Sequence, residues 1–572
     1  MDTLRDLLDT AARDYPSNIA FTLKLEKDHY RDITYRRFHE EIRSLSEALL
    51  HRGHGEDRIA VIGKNSYPWF LINSATVYMG GVFVPLDKEL KDEEFLSCLI
   101  RSEVRVLFYD VKEKAMVERA LATGKTSVVQ AVALYEGTDE LSIGDLIEEG
   151  RELLEKEKLV APMVDRVVID PEALAYLIFT SGTTSQSKIV MLSQKNLKSN
   201  TNGLLSVIPL EEDDTNIALL PYHHTFGLTG QWYMFVCGCR TVFCDGLKHV
   251  QANFKEYGVS LFIGVPLLIE TMYKKILRTA EKEGQAGRLR VASKICRGLN
   301  KVHINLNNII FHGVREALGG KLRLVVLGAA AADPECIKGF KDFGIECIQG
   351  YGLTETSPVL SAEIPGRCRP GSVGHPIGGV EMDIYEPNEE GIGEVIARGD
   401  NVMLGYYKNE EATKEVMVDG WFHTGDLGYR DKDGFYFLTG RKKNVIVLRN
   451  GKNVFPEELE VLIAPLPYVR ENIVIGLPDH GNEKDLVVSL KLVYDPEFFP
   501  DKTPEEIHAE ISKDIDAVNA TVPSYKRIKR IYVTDQEMEK TSTGKVRRFK
   551  EREYILAEEA AEEEAKKAAS EE

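Results

Sequence analysis

The sequence predicts an α/β fold: a large N-terminal domain of helix-covered, mostly parallel sheets with a small β-barrel-like part, and a small α+β domain at the C-terminus. Two observations carry this prediction. Hydrophobic strands alternate with segments of helical periodicity up to about residue 360, as in parallel sheets covered by helices on both faces. After about residue 372 the strands become short and are separated by turn residues, as in small sheets joined by tight turns.

Residues 1–110 show the alternation in order. Apolar residues at helical spacing predict helices over residues 4–15 and 35–53. The β-branched run 58–63 predicts a strand that ends at Gly63. A helix that begins near residue 69 runs through Gly80 and Gly81 into the strand 82–85.

The C-terminal part of the chain contains a compact module and an acidic tail. Strands are predicted near residues 445, 473, 486 and 529, with a helix over 505–519 and tight turns at 433–434 and 450–451. Because the polar run 441–444 lies between two hydrophobic strands, we place a linker there and predict domains over residues 1–441 and 442–550. Residues 551–572 contain nine acids and three bases, which predicts a solvated helix or frayed tail with no core to bury.

Composition and charge exclude several classes of protein. At 572 residues the chain is long enough for roughly two to four domains, and its net charge of −18 argues against general nucleic-acid binding. No apolar run approaches ~18 residues, and the N-terminus lacks the apolar core of a secretory signal. The eight cysteines are scattered. The closely spaced Cys237, Cys239 and Cys244 lack histidine partners, so we predict buried thiols in a cytoplasmic protein.

Residues 175–193 form the most informative segment. A hydrophobic strand is followed by a hydroxyl-rich run and a lysine, which are Thr180, Ser181, Gly182, Thr183, Thr184 and Lys188. Such a loop presents backbone N–H groups and hydroxyls to anionic oxygen, and the lysine adds a positive charge. Taken alone, the pattern fits a phosphate-binding loop or a flexible surface linker, and the preceding apolar strand favours phosphate binding.

Three later segments carry residue types suited to a nucleotide. In the run 348–358, Tyr351 can stack on a purine, a threonine hydroxyl can reach a phosphate, and Glu355 can hold Mg²⁺. Asp426 lies among glycines, where an acid can accept from both ribose hydroxyls, and Arg441 follows it along the chain. Lys545 lies in a glycine-containing loop near the chain end. Each segment alone also fits an ordinary turn, hairpin or solvated basic run.

In their order and spacing, the four segments resemble those of the adenylate-forming superfamily of acyl-CoA synthetases, luciferases and peptide-synthetase adenylation domains. The resemblance covers residues 15–548. It implies an enzyme that uses ATP and Mg²⁺ to activate a carboxylic acid as an acyl-AMP, and then transfers the acyl group to CoA. It also implies that the small C-terminal domain is a mobile lid that serves two half-reactions.

The resemblance implies a role for each motif residue. The implied nucleotide-binding positions are Thr180, Ser181, Gly182, Thr183, Thr184 and Lys188 for the β- and γ-phosphates, Gly328, Ala329, Ala330, Tyr351 and Gly352 for adenine and the acyl pocket, and Asp426 and Arg441 for ribose. The implied catalytic positions are His224 beside the substrate carboxylate, Thr354 at the α-phosphate, Glu355 and Thr180 at Mg²⁺, and Lys545 for adenylation. The implied hinge is Lys443, and Gly451 lines the path of the CoA pantetheine. For the histidine, the alternative is that His223, or both histidines, fill the core.

The sequence departs from the family pattern at two places. Ser185, Ser187 and Ile189 replace a glycine, a proline and a second glycine of the usual phosphate loop, but the hydroxyl core and Lys188 are present. Asn444 replaces the acid that usually follows the hinge. This second change puts a hinge salt bridge in doubt, not the chemistry.

The choice of acid and of acyl acceptor stays open at this point. The long, mostly helical stretch 266–323 and the segment 220–227 resemble long-chain fatty acyl-CoA synthetases, which favours a long-chain fatty acid over a medium-chain or aryl acid. A ligase that feeds an acyl carrier protein is a further alternative, although the run 438–451 lacks the extra segment typical of such enzymes. Nothing in the sequence points to luciferase-like oxygen chemistry, and a non-catalytic nucleotide-binding relative would lack Glu355 or Lys545.

The stretch 271–323 is basic within an acidic chain. It contains twelve Lys or Arg and three acids, a charge of +9, with apolar residues such as Met272, Ile276, Leu289, Ile295, Leu299 and Ile304 between the bases. This pattern is typical of a helix that lies on an anionic membrane, and it predicts peripheral membrane contact. The alternative, equally open, is that the apolar residues pack on the domain and leave a solvated basic face.

Overall fold

A computed structural model of the chain confirms the predicted α/β architecture. It describes residues 3–26, 28–135, 141–156, 161–180, 187–301, 304, 306–330, 332–449, 451–479, 482–540 and 546–571. The chain divides into two compact units: unit 1 comprises Met1–Thr180, Lys188–Met382 and Ala397–Phe422, and unit 2 comprises Ser181–Ser187, Asp383–Ile396 and His423–Glu572. The domain boundaries placed at 441/442 and 550/551 stay predictions.

The elements follow one another in the order that the alternating pattern predicts. The helices are α1 (Leu4–Asp14), α2 (Tyr35–His51), α3 (Tyr67–Tyr78), α4 (Asp92–Ser102), α5 (Lys114–Ala122), α6 (Ile143–Lys156), α7 (Met163–Arg166), α8 (Gln194–Leu205), α9 (Thr225–Val236), α10 (Val250–Tyr257), α11 (Pro266–Lys282), α12 (Ala286–Lys301), α13 (Asn307–Ile310), α14 (His312–Ala317), α15 (Pro334–Asp342), α16 (Glu410–Val416), α17 (Pro456–Ile463), α18 (Pro504–Thr521) and α19 (Arg548–Glu571). The strands are β1 (Ile19–Glu26), β2 (His29–Thr34), β3 (Arg58–Ile62), β4 (Val82–Leu86), β5 (Val106–Tyr109), β6 (Gln130–Ala133), β7 (Leu174–Phe179), β8 (Ile189–Ser193), β9 (Thr215–Ala218), β10 (Arg240–Phe243), β11 (Leu261–Gly264), β12 (Leu324–Leu327), β13 (Glu346–Gly352), β14 (Val359–Ala362), β15 (His375–Pro376), β16 (Val380–Tyr385), β17 (Gly393–Gly399), β18 (Gly405–Tyr406), β19 (Met417–Val418), β20 (Trp421–Arg430), β21 (Tyr436–Arg441), β22 (Ile446–Val447), β23 (Asn453–Val454), β24 (Val469–Asp479), β25 (Asn482–Tyr494) and β26 (Arg530–Thr534).

Unit 1 is built on two large sheets. One has nine strands in the order β15–β14–β13–β12–β11–β9–β10–β1–β2, and the other has seven in the order β18–β8–β7–β4–β3–β5–β6. The central strands of both sheets are parallel. Antiparallel pairs lie toward the sheet edges, at β13–β14–β15, β1–β2 and β7–β8–β18. The mostly parallel sheets predicted from the sequence are therefore confirmed.

Two helices that are buried on nearly all sides position the site. α3 and α9 bury almost every residue, unlike the amphipathic α1, which buries one face. Phe70 of α3 packs on Trp232 of α9, with ring centroids 5.5 Å apart. Trp232 Nε1 donates to the Tyr176 hydroxyl of β7 at 3.3 Å. This packing ties α9 to the strand that precedes the predicted phosphate loop.

Unit 2 contains the predicted C-terminal module. The sheet β24–β25–β26 and the hairpin β22–β23 match the predicted strands, and α18 matches the predicted helix. The predicted β-barrel-like part corresponds to a five-stranded sheet in the order β16–β17–β20–β19, with β21 paired to β20. The residues of this sheet are divided between the ranges of unit 1 and unit 2. The predicted turn at 433–434 is present, and Gly434 N donates to the Asp431 carbonyl at 3.0 Å. At the other predicted turn Gly451 N donates to the Leu448 carbonyl at 2.8 Å, while Asn450 lies outside the described residues.

The acidic tail is helical, but its first turns are packed. Glu551 is only 2% exposed, and it accepts a hydrogen bond from Lys491 Nζ at 2.6 Å. Ile555 is buried in a cluster with Ile473 and Val493. The expectation that this segment has no core to bury is therefore wrong for residues 551–555. The sequence misses this packing because two buried residues on an acidic helix leave no recognisable apolar stripe.

The cysteines and the helices bear on two further expectations. All eight cysteines are free thiols. Cys237 and Cys239 are buried as predicted, whereas Cys244 is partly exposed. Burial raises the pKa of Cys237 to about 11, so this thiol stays protonated at neutral pH. Within the described ranges, no helix combines the length and apolar character needed to span a bilayer.

Candidate active site

The predicted phosphate loop joins two antiparallel strands of unit 1. β7 pairs with β8, with Phe179 opposite Ile189, and Thr180 N donates to the Lys188 carbonyl at 2.9 Å. The ladder thus holds both ends of the loop together. The loop residues that lie outside the described part of the chain are Ser181, Gly182, Thr183, Thr184, Ser185 and Gln186.

A single tyrosine contacts two residues that belong to separate sequence motifs. Lys188 Nζ lies 4.4 Å from the centroid of the Tyr406 ring, and the Tyr406 hydroxyl donates to Glu355 Oε1 at 2.8 Å. Tyr406 is 5% exposed. Burial and the charge of Glu355 raise the pKa of this hydroxyl, so it remains a neutral donor. No motif in the sequence marks Tyr406, because it lies far along the chain from both partners.

The N-terminus of α9 meets the turn that carries Thr354 and Glu355. His224 is the N-cap residue of α9, and Thr225 Oγ1 lies 3.4 Å from Thr354 Oγ1. The arrangement brings the predicted carboxylate-binding histidine and the predicted α-phosphate threonine to the same part of unit 1. Because these residues lie at the end of a buried helix and in a short turn, their backbone positions are set by the packing behind them.

Two adjacent histidines are candidates for the predicted residue beside the substrate carboxylate. The ring centroids of His223 and His224 lie 4.2 Å apart, and His223 Nε2 lies 3.4 Å from Asp87 Oδ2. The His223 side chain is only 10% exposed, and the Nε2 atoms of both histidines are buried, so the alternative that the histidines pack in the core stays open. The choice of His224 as the residue beside the substrate stays a prediction.

The predicted adenine segments leave two adjacent parallel strands at the same sheet edge. Leu327 at the end of β12 pairs with Gln349 of β13, so Gly328 and Tyr351 follow at neighbouring positions. Gln349 Oε1 also accepts from Ala332 N at 3.2 Å and links the two segments directly. Carboxyl ends of parallel strands are where α/β folds bind nucleotides.

Two glycines in these segments are required by close packing. A methyl group at Gly328 would lie 2.7 Å from the Phe226 ring, and one at Gly352 would lie 1.8 Å from the Pro358 carbonyl oxygen. Gly328 is buried, whereas Ala329 and Ala330, which follow it, are exposed. Phe226 therefore covers the start of the segment that the resemblance assigns to the acyl pocket.

The predicted ribose pair lies within unit 2. Asp426 and Arg441 face each other across β20 and β21, and Arg441 Nε lies 2.9 Å from Asp426 Oδ1. Asp426 is 6% exposed, while about two-fifths (41%) of the Arg441 side chain is exposed. The structure brings the two residues together, and their role at a ribose stays a prediction.

The remaining predicted residues of unit 2 are separated along the chain. Lys443 lies in a short 3-10 turn, Lys442–Asn444, where Asn444 Nδ2 donates to Glu457 Oε1 at 2.7 Å. An amide hydrogen bond thus occupies the position where a salt bridge was in doubt. Gly451 is an exposed turn residue with φ of 76°, a value that favours glycine. Lys545 lies outside the described residues.

Comparison with known proteins decides the family. The AMP-binding enzyme family matches residues 8–407, and the AMP-binding enzyme C-terminal domain matches residues 443–555. The chain belongs to the AMP-binding enzyme family. The family, the fold and the enzyme class predicted from the four motifs are thereby confirmed.

Relatives of this AMP-binding enzyme differ in the acid they are named for. A long-chain-fatty-acid–CoA ligase from Mycobacterium bovis is 28% identical over 94% of this chain and 93% of its own. An oxalate–CoA ligase from Arabidopsis thaliana is also 28% identical, over 96% of this chain and 97% of its own. The crystal structure of an anthranilate CoA ligase with anthranoyl-AMP superposes with a TM-score of 0.77 at 23% identity, covering 96% and 97%.

The carboxylate of this AMP-binding enzyme at Glu355 fits Mg²⁺. It is a hard oxygen donor on a partly exposed side chain, and in the part of the chain that the structure describes no three His, Cys, Asp or Glu residues form a metal cluster. Mg²⁺ is commonly held by one or two carboxylates together with phosphate oxygens and water. The other predicted ligand, Thr180, donates its hydroxyl to the Lys188 carbonyl at 3.3 Å, which leaves its oxygen free to accept or ligate.

A buried carboxylate supports the adenine segment of this AMP-binding enzyme. Glu363 is 2% exposed. Its Oε2 accepts from Gln349 N at 3.1 Å, and its Oε1 accepts from Arg369 N at 3.0 Å. Burial raises the pKa of Glu363 to about 7, in spite of these two donors. No motif in the sequence marks Glu363, so only the folded structure reveals it.

Glu363 is expected to make the stability of unit 1 depend on pH. The pKa of Glu363 is about 7 in the folded state, above its ordinary value of 4.5. The protonated carboxyl therefore contributes fully to the stability of the fold below about pH 4.5, and this contribution is lost as the pH rises through about 7. We expect a loss of about 2 kcal/mol in unfolding free energy between about pH 5.5 and about pH 8. Urea unfolding followed by fluorescence measures it, since all three tryptophans lie in unit 1.

Two matched variants isolate this effect from the titration of other groups. Glu363→Gln removes the titrating carboxyl, so the unfolding free energy of this variant should fall by about 2 kcal/mol less than that of the wild type over the same pH range. Glu335→Gln, at a largely exposed carboxylate (71%), should leave the slope unchanged. Identical slopes in the two variants would show that Glu363 does not titrate in this range.

Proposed function

We propose that this AMP-binding enzyme uses ATP to convert a carboxylic acid into an acyl-AMP and then transfers the acyl group to CoA. One arrangement carries the proposal. The Lys188 ammonium lies over the ring of Tyr406, and the Glu355 carboxylate accepts a hydrogen bond from the hydroxyl of the same tyrosine. The turn that carries Glu355 also carries Thr354, which approaches the N-terminus of α9. Basic, hydroxyl and acidic groups thus converge where a polyphosphate and its metal need them.

In the first half-reaction, a carboxylate oxygen of the acid attacks the α-phosphorus of ATP, and pyrophosphate leaves. Both reactants are anions, so the protein must neutralise charge and align the two. We assign charge neutralisation to Lys188 and Lys545, the α-phosphate contact to Thr354, and orientation of the acid to His224. Mg²⁺ held by Glu355 would add positive charge at the phosphate oxygens.

The second half-reaction is attack of the CoA thiol on the acyl carbon, with AMP as the leaving group. We assign the ribose to Asp426, whose carboxylate is held in place by Arg441. We assign the hinge between the half-reactions to Lys443 and the pantetheine path to Gly451. In this proposal the small C-terminal domain is a mobile lid that takes a different position in each half-reaction, so that one site can serve both.

We propose a long-chain fatty acid as the substrate. Support comes from the helical stretch α11–α12 and from the relative named a long-chain-fatty-acid–CoA ligase. The alternatives are a medium-chain, aryl or short acid, since the relatives also include an oxalate–CoA ligase. A carrier protein instead of CoA is the alternative acceptor.

A pyrophosphate-release assay across a panel of acids tests the proposal. The panel runs from oxalate and benzoate through medium-chain to long-chain fatty acids, each with CoA, with a holo acyl carrier protein, or with neither. We expect the largest kcat/KM with a long-chain acid, and acyl-CoA as the product identified by mass spectrometry. A larger kcat/KM for oxalate or benzoate would overturn the acid, acyl transfer only to the carrier protein would overturn the acceptor, and no ATP–pyrophosphate exchange with any acid would overturn the function.

The structure divides the basic stretch into engaged and exposed residues. Three of its arginines are engaged within unit 1: Arg297 with Asp342, Arg315 with the Gly344 carbonyl, and Arg323 with Asp214. Three of its predicted apolar surface positions pack against the core, namely Met272, Ile276 and Leu289. For these residues the packing alternative is correct, and the side chain of Lys301 lies outside the described residues.

We propose that the exposed face of α12 contacts an anionic membrane. Val291 and Ile295 are 57% and 50% exposed, and their spacing of four residues places them on one side of the helix. Arg288, Arg290 and Lys294 are exposed around them. Apolar residues within a basic rim are typical of helices that lie on anionic lipid. Each base near such a surface contributes about 1 kcal/mol, so binding should be weak and reversible by salt.

Charge reversal on this face is expected to abolish binding to anionic vesicles. The variant is Arg288→Glu/Arg290→Glu/Lys294→Glu, which replaces attraction with repulsion and leaves the engaged arginines intact. Co-sedimentation with neutral or anionic vesicles at low and high salt measures it, and activity on a short, soluble acid should be unchanged. A matched control reverses three exposed lysines elsewhere, Lys125, Lys432 and Lys513. Wild-type binding that ignores salt, or equal loss in both triple variants, would contradict the proposal.

A further inference from the structure

The segment 403–407 connects the strand that leaves the phosphate loop to the turn that carries Glu355. Its backbone makes hydrogen bonds in both directions. Met403 N donates to the Glu355 carbonyl at 2.8 Å, while Leu404 N donates to the Met191 carbonyl at 2.9 Å and Tyr407 N donates to the Ile189 carbonyl at 2.8 Å. The segment therefore holds two parts of the site at a fixed separation.

The backbone of Tyr406 is held firmly within this segment. Its N–H donates to Thr413 Oγ1 at 2.9 Å, and Tyr406 pairs with Val190 across β18 and β8. The preceding Gly405 is so close to Thr413 that a methyl group there would lie 2.9 Å from it. A side chain on such a backbone has little freedom to move, so its contacts are well defined.

The side chain of Tyr406 separates two opposite charges. Its ring faces the Lys188 ammonium, and its hydroxyl faces the Glu355 carboxylate. Among the described residues, Lys188 and Glu355 form no ion pair with each other. A direct pair would neutralise both groups and leave neither charge available to a phosphate or a metal. A hydrogen bond to one carboxylate oxygen also sets the carboxylate plane and leaves the second oxygen able to ligate.

We propose that Tyr406 is a positioning residue that holds Lys188 and Glu355 apart and orients each toward MgATP. The proposal rests on the proposed function, since it assumes that Lys188 meets phosphate and Glu355 meets Mg²⁺. The hydroxyl of Tyr406 orients the Glu355 carboxylate by a hydrogen bond, and its ring orients the Lys188 ammonium by a cation–π contact. The two contributions can be removed one at a time, because phenylalanine keeps the ring and leucine keeps neither.

ATP binding without catalysis provides the test, since it requires no acid and no turnover. Isothermal titration gives the Kd for ATP with excess Mg²⁺ and with EDTA, and the ratio of the two measures the magnesium enhancement. Tyr406→Phe should reduce this enhancement about tenfold, the usual size of a lost hydrogen bond to a charged group, with the EDTA value unchanged. Tyr406→Leu should in addition raise the EDTA value about threefold, since the ring no longer faces Lys188.

The neighbouring tyrosine supplies a closely matched control. The Tyr407 hydroxyl donates to Glu103 Oε2 at 2.9 Å, and its ring lies 4.9 Å from the Arg58 guanidinium carbon. Tyr407→Phe therefore makes the same change beside a different carboxylate and cation, and it should leave both Kd values unaltered.

Each outcome supports or overturns the proposal. A wild-type magnesium enhancement in Tyr406→Phe overturns the positioning role while leaving the proposed function standing. Equal losses in Tyr406→Phe and Tyr407→Phe also overturn it, because they would show a general weakening of the fold. A wild-type chain that fails to bind ATP overturns the proposed function and this inference together. A Tyr406→Leu variant that does not fold leaves the phenylalanine comparison decisive.

Discussion

Replacing Lys545 with alanine is expected to abolish acyl-AMP formation and to leave thioester formation from supplied acyl-AMP largely intact. In the proposed function, this lysine neutralises charge that develops only while the acid attacks the α-phosphorus. Loss of a preorganised donor of this kind costs ~10²–10³-fold in rate. The first half-reaction is measured as acid-dependent ATP–pyrophosphate exchange, and the second as acyl-CoA formation from synthetic acyl-AMP.

A nearby lysine controls for general effects of the substitution. Lys550 lies in the first turn of α19, where its Nζ is 3.2 Å from Glu553, and such an exposed pair contributes little to stability. Lys550→Ala should therefore match the wild type in both half-reactions. Equal loss of both half-reactions in Lys545→Ala, in a protein with the wild-type Tm, would refute the assignment of this lysine to adenylation alone.

The second large effect is expected from Glu355→Gln, which should sharply weaken the magnesium dependence of adenylation. The amide keeps the shape of the side chain and can still accept a hydrogen bond from Tyr406, but it removes the anion that a hard cation prefers. We expect the Mg²⁺ concentration for half-maximal pyrophosphate exchange to rise at least as much as in Tyr406→Phe. A magnesium titration at saturating ATP measures it.

A second carboxylate that accepts from a tyrosine makes the control. Glu103 pairs with Lys408 and Arg58 and accepts a hydrogen bond from Tyr407, and these contacts lower the pKa of its carboxyl to about 2. Glu103→Gln should cost some stability but leave the magnesium midpoint at the wild-type value. A Glu355→Gln titration that overlays the wild type would show that Glu355 is not the metal ligand.

Local chemistry explains which site residues could be read from the sequence. Each predicted group of site residues lies within a few residues or on one hairpin. The groups are the predicted phosphate loop from Thr180 to Lys188, the run from Tyr351 to Glu355, and the pair Asp426 and Arg441. Strand and turn propensities act over this range, so residue type and spacing indicate the chemistry directly. In the structure Lys188 and Glu355 both contact Tyr406. Asp426 forms an ion pair with Arg441.

Residues that act through long-range pairing could not be read in this way. Tyr406 meets Lys188 only because β18 pairs with β8, and Glu363 meets Gln349 only because β14, which ends just before Glu363, pairs with β13. Neither residue lies in a motif. A buried Glu with a raised pKa has the same one-letter code as a solvated one, and only its surroundings distinguish the two.

The basic stretch 271–323 also shows that a sequence pattern does not reveal which residues pack against the core. Charge and periodicity together predicted an amphipathic face, and α12 is a helix with exposed bases and exposed apolar residues. The pattern did not reveal that Arg297 pairs with the buried Asp342 or that Leu289 packs inward. A helix of given composition can turn either face to the core, and the partner elements decide which one.

The sequence by itself determined the alternation of strands and helices, the order of the four motifs and the family, because each depends on short-range propensity and spacing. Tertiary structure alone decided which charges pair, which carboxyl is buried with a raised pKa, and which tyrosine separates Lys188 from Glu355. Those contacts depend on strand order and helix packing between distant segments. The free energy of such contacts arises from burial and geometry in the folded chain, and no local pattern records it.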